Sequence, residues 1–282
     1  MKSFCIISNE LKDKDLLITK RIVAYLEAHA CKFTLLYLKW EKTLDAWSTF
    51  PTIPKDAEVI LVLGGDGTVM QVARETYGMD IPILGINLGA LGYLTEVNCD
   101  QVEGALEQLI LDDYNIEERM MLKGVVEKKS HKESFIALND VIVNRSGSLQ
   151  ILYFKVWLNE QLLSHYKADG CIVSTPTGST GYNLSAGGPI VDPTSKTIVM
   201  TTICSHNLFN RGIVLSGDKE VTIEATLDKQ GSRQNMQVTF DGNENIHIET
   251  GDLVHITQAE HTTKLIRLEM ISFIDLLYKK MS

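Results

Sequence analysis

Apolar and polar positions divide this chain into two textures. Phe4 to Ser8 and Lys32 to Leu38 are apolar runs of strand length, and between them Ile18, Ile22, Tyr25 and Leu26 recur at helical spacing over Asp13 to Ala30. Together they predict a β-α-β unit. Ala57 to Leu63 is uninterrupted and apolar, the pattern of a strand covered on both faces, and it ends in Gly64-Gly65-Asp66-Gly67-Thr68. A helix is predicted over Val69 to Tyr77, a strand over Pro82 to Ile86 and an amphipathic helix over Gln101 to Ile110. Lys39 to Lys55 shows no period and reads as a surface connection.

After Tyr114, short β-rich runs bounded by turn residues replace helical periodicity: Met120–Val126, Phe135–Asn144, Ile151–Leu158, Cys171–Thr175, Thr197–Cys204, Val221–Thr226, Val238–Phe240, Ile246–Glu249 and Leu253–Thr257. Residues 263–282 run from a strand into a helix over 271–280, expected to return to the first domain. The predicted fold class is α/β plus all-β, with a Rossmann-like domain over 1–115, a β-sandwich over 116–262 and a C-terminal segment over 263–282. The glycine-rich stretches Gly64–Thr68 and Gly85–Leu94 each follow a parallel strand. Both then lie at the carboxyl edge of the sheet, where open α/β folds bind ligands.

Composition narrows the partners. A length of 282 residues with 44% hydrophobic content supports a sizeable core, and a net charge of -9 argues against nucleic acid, whose phosphates require clustered Lys and Arg. No run approaches the roughly 20 apolar residues of a membrane helix, and Met1–Ser8 is too short and strand-like for a signal peptide. Cys5, Cys31, Cys99, Cys171 and Cys204 are scattered, which predicts buried, reduced thiols in a cytoplasmic protein. Neither they nor the histidines show ligand spacing, so no protein-built metal site is assigned.

The glycines around Asp66 permit positive φ and close backbone approach, and beside a helix N-terminus such a loop holds phosphate. A carboxylate is awkward there unless it takes a proton from a hydroxyl, holds a cation, or caps the helix in a tight turn. A second polar pair, Asn139-Asp140, interrupts the apolar run Ala137–Val143 and needs a partner, in a site or in a structural turn. Between Lys167 and Ile190, hydroxyls and glycines surround Tyr182. They offer donors and acceptors suited to sugar hydroxyls and an adenine edge, with a ring to pack against a base.

Taken together, Gly64-Gly65-Asp66-Gly67-Thr68, Asn87-Leu88-Gly89-Ala90-Leu91-Gly92-Tyr93-Leu94-Thr95, Asn139-Asp140, Asp169-Gly170, Ser174 through Tyr182, Ser185 through Ile190 and Asp241-Gly242 resemble the bacterial NAD kinases in order and spacing over nearly the whole chain. The first motif alone is shared with diacylglycerol, sphingosine and phosphofructokinase-type kinases. The resemblance implies transfer of the ATP γ-phosphoryl group to the 2′-hydroxyl of the adenosine ribose of NAD, with Asp66 as proton acceptor and Mg²⁺ arriving with ATP. It places NAD contacts on Asp66, Gly67, Tyr93, Asn139, Asp140, Lys167, Asp169, Thr177, Thr180, Gly181, Tyr182, Asn183, Leu184, Ser185 and Asn243, and phosphate contacts on Gly64, Gly65, Gly67 and Thr68. It also implies a homotetramer or homodimer.

Three positions depart from the family pattern: Asp140 stands where Glu is frequent, Gly181 where Ala is usual, and Asn243 where Gln is common. Rival readings are a lipid kinase sharing the first motif, a nucleotide sensor without catalysis, and a dehydrogenase. The Thr175–Ser185 loop argues against the first, the intact Asp66 against the second, and the missing Gly-x-Gly-x-x-Gly after the first strand against the third.

Overall fold

The computed structural model describes residues 2–38, 40–41, 46–47, 50–89, 92–147, 151–207, 211–268 and 272–281. Ala90 and Leu91 of the second glycine-rich motif, part of the Lys39–Lys55 connection, and both Ile271 and Ser282 of the C-terminal segment lie outside the described residues. The chain forms two compact units, Met1–Glu118 with Thr263–Ser282, and Arg119–Thr262.

The first unit begins with β1 (Ser3–Asn9), α1 (Leu17–Ala28), β2 (Lys32–Leu38) and the short antiparallel pair β3 (Trp40–Glu41) and β4 (Ala46–Trp47). It continues through β5 (Val59–Gly64), α2 (Asp66–Glu75), β6 (Ile83–Asn87), β7 (Val97–Asn98), α3 (Val102–Ile110) and β8 (Asn115–Arg119). From the far end of the chain, β21 (Thr263–Arg267) and α5 (Phe273–Met281) complete it. The sheet order is β2-β1-β5-β6-β21-β8, with β7 beside β6, and β2, β1, β5, β6 and β21 pair in parallel. Phe4, Ile6, Leu61, Leu63, Leu84 and Ile86 pack with Ile22 and Leu26 of α1 and Leu106 and Leu109 of α3. On the alternate face, Val69 of α2 lies against Gly85 of β6. Burial on both faces is why β5 reads as a continuous apolar run.

Chain order along the sheet reverses between β1 and β5, the place where parallel strands leave a crevice at their carboxyl ends. Ser8 pairs with Leu63 there, so the turn after β1 and the Gly64–Thr68 motif emerge side by side.

The second unit consists of β9 (Leu122–Glu127), β10 (Lys132–Ala137), β11 (Asp140–Arg145), β12 (Leu152–Leu158), β13 (Gln161–Ala168), β14 (Gly170–Ser174), the one-turn helix α4 (Tyr182–Ser185), β15 (Thr197–Ile203), β16 (Ile213–Ser216), β17 (Val221–Ala225), β18 (Asn235–Phe240), β19 (Asn243–Glu249) and β20 (Leu253–Gln258). Its strands form two six-stranded antiparallel sheets, β10-β9-β20-β17-β12-β13 and β16-β15-β14-β11-β18-β19. Alternate residues such as Leu152, Phe154 and Val156 from one sheet and Val141, Val143 and Phe240 from the other share one core.

Several elements differ from the sequence expectation. The helix after β5 starts at Asp66, not Val69, so Asp-Gly-Thr is its first turn and Gly65 its cap. Gly64, Gly65 and Gly67 do not adopt positive φ. What glycine supplies at Gly64 is space, because a Cβ there would run into the Thr68 side chain. The run Phe135–Asn144 is two strands in different sheets with a corner at Leu138-Asn139. Strands β13 and β16 were not expected; the adjacent Leu162 and Leu163 break the alternation of β13, which pairs with β12 across an irregularity at Val156/Trp157. Cys5 and Cys171 are buried, with burial pushing both thiols up to about 12, but Cys204 is exposed.

Across the sandwich, Gly124 of β9 faces the Phe240 ring, which stacks on Phe135 at 4.9 Å, and a Cβ at Gly124 would overlap that ring. Gly124→Ala is expected to lower unfolding free energy by about 1–3 kcal/mol through overpacking, read from urea denaturation.

Candidate active site

In the first unit, the candidate residues gather at the N-terminus of α2. Asp66 is its first residue, and its carboxylate turns back onto the end of the second glycine-rich stretch. The Tyr93 N–H donates to Oδ2 at 2.7 Å, and the Leu94 and Thr95 N–H groups donate to Oδ1 at 3.0 and 3.4 Å. Only glycine fits at Gly92, where a Cβ would collide with that carboxylate. A carboxylate has about four lone-pair sites, so three amides leave one on Oδ2 for a further donor.

Around Asp66 the motif divides into scaffold and open backbone. Gly64 and Thr68 are buried, and the Thr68 hydroxyl accepts from Asn9 Nδ2 at 3.3 Å, tying the end of β1 to α2. Gly65 is half-buried and Gly67 exposed. The Asp66 and Gly67 N–H groups, in the first helical turn, have no intrahelical acceptor and carry the positive end of the helix dipole. Thr68 N–H is already spent on the Gly65 carbonyl at 2.9 Å. Tyr93 is half-buried, Lys280 of α5 stands over its ring at 5.1 Å, and burial followed by the Asp66 charge holds its phenol above the usual tyrosine value.

In the second unit another carboxylate plays the same part. Asp241, in the left-handed region at φ 52°, accepts from the Leu138, Asn139 and Asp140 N–H groups at 2.9, 2.7 and 3.1 Å. It thereby builds the corner between β10 and β11. The side chains there do not simply alternate across a strand, as their sequence position implies. Asp140 is 5% exposed, and burial first and Asp241 second push its carboxyl from its ordinary 3.8 to about 7.

The loop after β14 packs onto this corner. Thr175 donates from Oγ1 to the Leu138 carbonyl at 2.6 Å, Ser174 donates to the Asn139 carbonyl at 3.1 Å, and Gly178 lies so close to that carbonyl that a Cβ would overlap it. Asn139, Asp140, Thr177, Thr180 and Gly181 are gathered here, with Tyr182, Leu184 and Ser185 exposed at the rim on α4. Tyr182 is 44% exposed, an aromatic face open to a ring partner.

Asn183, one of the positions expected to contact NAD, has a side chain that bonds within the loop. It is fully buried, donating to the Ser179 and Pro189 carbonyls at 3.1 and 3.0 Å and accepting from the Thr201 hydroxyl at 2.7 Å. Its side chain therefore braces the loop. Lys167 and Asp169 lie at the other end of the β11/β14 pair: Ser174 faces Asp140 whereas Gly170 faces Asn144, a separation of about 13 Å at the rise of a strand. There Asp169 pairs with Arg145 at 3.3 Å and the Lys167 ammonium stands 5.9 Å from the Tyr153 ring centre. Asn243 is exposed at the start of β19.

Two contributors escaped the sequence reading. Asp241 entered the sequence reading only through the Asp241-Gly242 pair that closes the family motifs, with no role of its own, and its three amide partners lie about a hundred positions earlier in the chain. Arg119 is 3% exposed and donates to the Thr177 hydroxyl at 3.1 Å, a role that its polar strand-end setting does not announce.

The raised Asp140 value has a pH consequence. Between about pH 4 and about pH 7 the folded chain keeps a proton that the unfolded chain releases. Its contribution to stability is complete below that window and is lost as pH rises through it. Asp140→Asn cannot ionise, so its melting temperature is expected to gain on that of the ligand-free parent as pH is raised from 4 to 7.

Known proteins similar to this chain match it over nearly its whole length. The family model of the ATP-NAD kinase N-terminal domain matches residues 4–114, and that of the ATP-NAD kinase C-terminal domain matches residues 138–268. The NAD kinase of Lachnoclostridium phytofermentans is 43% identical over 286 residues, covering 99% of both chains, and that of Agathobacter rectalis is 43% identical over 281 residues, covering 100% of this chain and 99% of the relative. The fold is also that of yeast NADH kinase complexed with NADH (TM-score 0.80, 21% identity, 95% of this chain and 83% of that one). It is shared by an NAD kinase from Archaeoglobus fulgidus in complex with ATP (TM-score 0.75, 22% identity, 95% and 94%). The chain belongs to the ATP-NAD kinase family.

Proposed function

We infer that this protein is an ATP-dependent NAD kinase, transferring the γ-phosphoryl group of ATP to the 2′-hydroxyl of the adenosine ribose of NAD to give NADP. Full-length identity to curated NAD kinases supports the reaction. The observation that carries the mechanism is the Asp66 carboxylate, held by three backbone amides with one Oδ2 lone pair to spare. That lone pair accepts the 2′-hydroxyl proton, the kind of assistance worth about 10²- to 10⁴-fold.

The open Gly65 to Gly67 backbone at the α2 N-terminus receives phosphate oxygens, as helix N-termini do. Asn139, Asp140, Thr177 and Thr180 meet the polar edges of the nucleotide, and Tyr182 packs on a ring. Among the described residues no group of three or more His, Cys, Asp or Glu side chains is arranged to hold a metal ion. A Mg²⁺ arriving with ATP would be held by the phosphate oxygens and by water. When bound, the ion neutralises phosphate charge.

No described helix is long and apolar enough to cross a membrane, and the free cysteines fit a reducing cytoplasm. The distance of Asp169 and Lys167 from the Asn139–Thr180 cluster favours a homodimer or homotetramer whose second copy brings that end of β14 to the nucleotide. Mixing Asp66→Asn with Asp169→Asn subunits is expected to restore activity that neither variant has alone; no recovery would place both residues in one copy's site.

Incubating the pure protein with Mg-ATP and NAD is expected to yield NADP, detected with an NADP-specific dehydrogenase. Asp66→Asn sets an amide NH₂ against a backbone N–H, so it is expected to cost about 1–3 kcal/mol of stability as well. The proton-acceptor role is read separately. Turnover should fall by about 10²-fold or more while calorimetric NAD affinity stays within a few-fold, and equal loss of both would refute it.

A further inference from the structure

The turn between β1 and α1 carries a cation that none of these roles uses. A Cβ placed on Gly65 would meet Lys12 Nζ at 2.8 Å and no other non-neighbouring heavy atom within 4 Å. The ammonium therefore lies against the open backbone of the glycine motif, and space beside it is clear. Lys12 itself is exposed, and among the described residues its ammonium has no hydrogen-bond or ion-pair partner.

Its backbone, by contrast, is firmly placed. The Asn9 carbonyl accepts from the Lys12 and Asp13 N–H groups at 2.9 and 3.0 Å, and Asn9 Oδ1 accepts from the Leu11 N–H at 3.1 Å. Asn9 Nδ2 reaches Thr68, so one side chain joins the Lys12 turn to the first turn of α2. Asp13 then closes the turn onto α1 by accepting from the Ile18 and Thr19 N–H groups at 3.1 and 2.9 Å. The nearest catalytic carboxylate does not quench the ammonium, because Asp66 is turned to the amides of Tyr93, Leu94 and Thr95.

We propose that Lys12 binds the triphosphate of ATP at the glycine motif, its ammonium contacting non-bridging oxygens of the phosphoryl group in transfer. This rests on the kinase reading and extends it: positive charge stands on the donor side of the reaction and Asp66 on the acceptor side. The bond from the γ-phosphorus to the β,γ-bridging oxygen breaks, a bond from the ribose 2′-oxygen to the γ-phosphorus forms, the 2′ proton passes to Asp66, and ADP leaves. Lys12 stays protonated and transfers nothing. The chain lacks a Walker lysine within its glycine motif, and Lys12 supplies the same point charge from a neighbouring strand end.

The test compares the full-length parent with Lys12→Ala and Lys12→Arg, in steady-state NADP formation and in calorimetric binding of Mg-ATP and, separately, of NAD. Lys12→Ala is expected to lower kcat/KM for ATP by about 10²-fold, the scale of one lost donor to developing charge, with NAD affinity and unfolding midpoint unchanged. Lys12→Arg should recover most of the loss. Unchanged ATP kinetics and Mg-ATP affinity in Lys12→Ala would overturn the proposal, as would a parallel fall in NAD affinity and stability. A parent that makes no NADP yet binds Mg-ATP through Lys12 would sink the NAD kinase reading and leave this one standing. A parent that binds no Mg-ATP overturns both.

Discussion

Convergence of three backbone N–H groups on the Asp66 carboxylate is the interaction on which the first unit's site depends. Charge-assisted bonds of this kind are about twice as strong as neutral ones, and here they join the start of α2 to a turn more than twenty residues later. Two absences of side chain make the approach possible. Gly92 leaves room for the carboxylate itself, and Gly85 lets the backbone of Leu94 and Thr95 lie on β6. The bonds also fix the rotamer of Asp66, so a substrate hydroxyl meets an oxygen whose direction is already set.

The second unit solves a similar problem with the same chemistry. Asp241 collects three amides at the corner where the chain passes from one sheet of the sandwich to the other, and the Thr175–Gly178 stretch packs on the carbonyls of that corner. The arrangement has an electrostatic cost, visible in Asp140: burial beside a second carboxylate holds its carboxyl near neutrality, up to about 7. In both units, then, an acidic side chain organises backbone first, and the polar surface offered to a ligand is what remains after those bonds are made.

The charges at the glycine motif follow the same logic of separation. Asp66 follows Gly65 in the chain and the Lys12 ammonium lies against Gly65, yet the carboxylate is bound to the Tyr93, Leu94 and Thr95 amides and the two charges do not pair. Had they paired, each would have cancelled what the other offers to a reaction that needs a proton acceptor at the hydroxyl and a cation at the phosphate.

Much of this was legible in the order of residues. The continuous apolar run of β5 and the helical spacing of α1 and α3 report burial directly, because strand and helix periods are local. The glycine motif, Asn139-Asp140 and the hydroxyl-rich loop announced themselves by residue type, and their combination indicated the family. Other features were decided only by tertiary structure. These are the capture of Asp66 by the Tyr93–Thr95 amides, the Asp241 corner that splits one apparent strand in two, the turning of Asn183 into a brace, and the arrival of Lys12 at Gly65. Each is a contact between segments distant in the chain, made by turns that have no period. Sequence alone determined which elements form and which chemistries are present; long-range hydrogen bonds and close backbone approach decided which side chains support the scaffold and which remain free to meet a ligand.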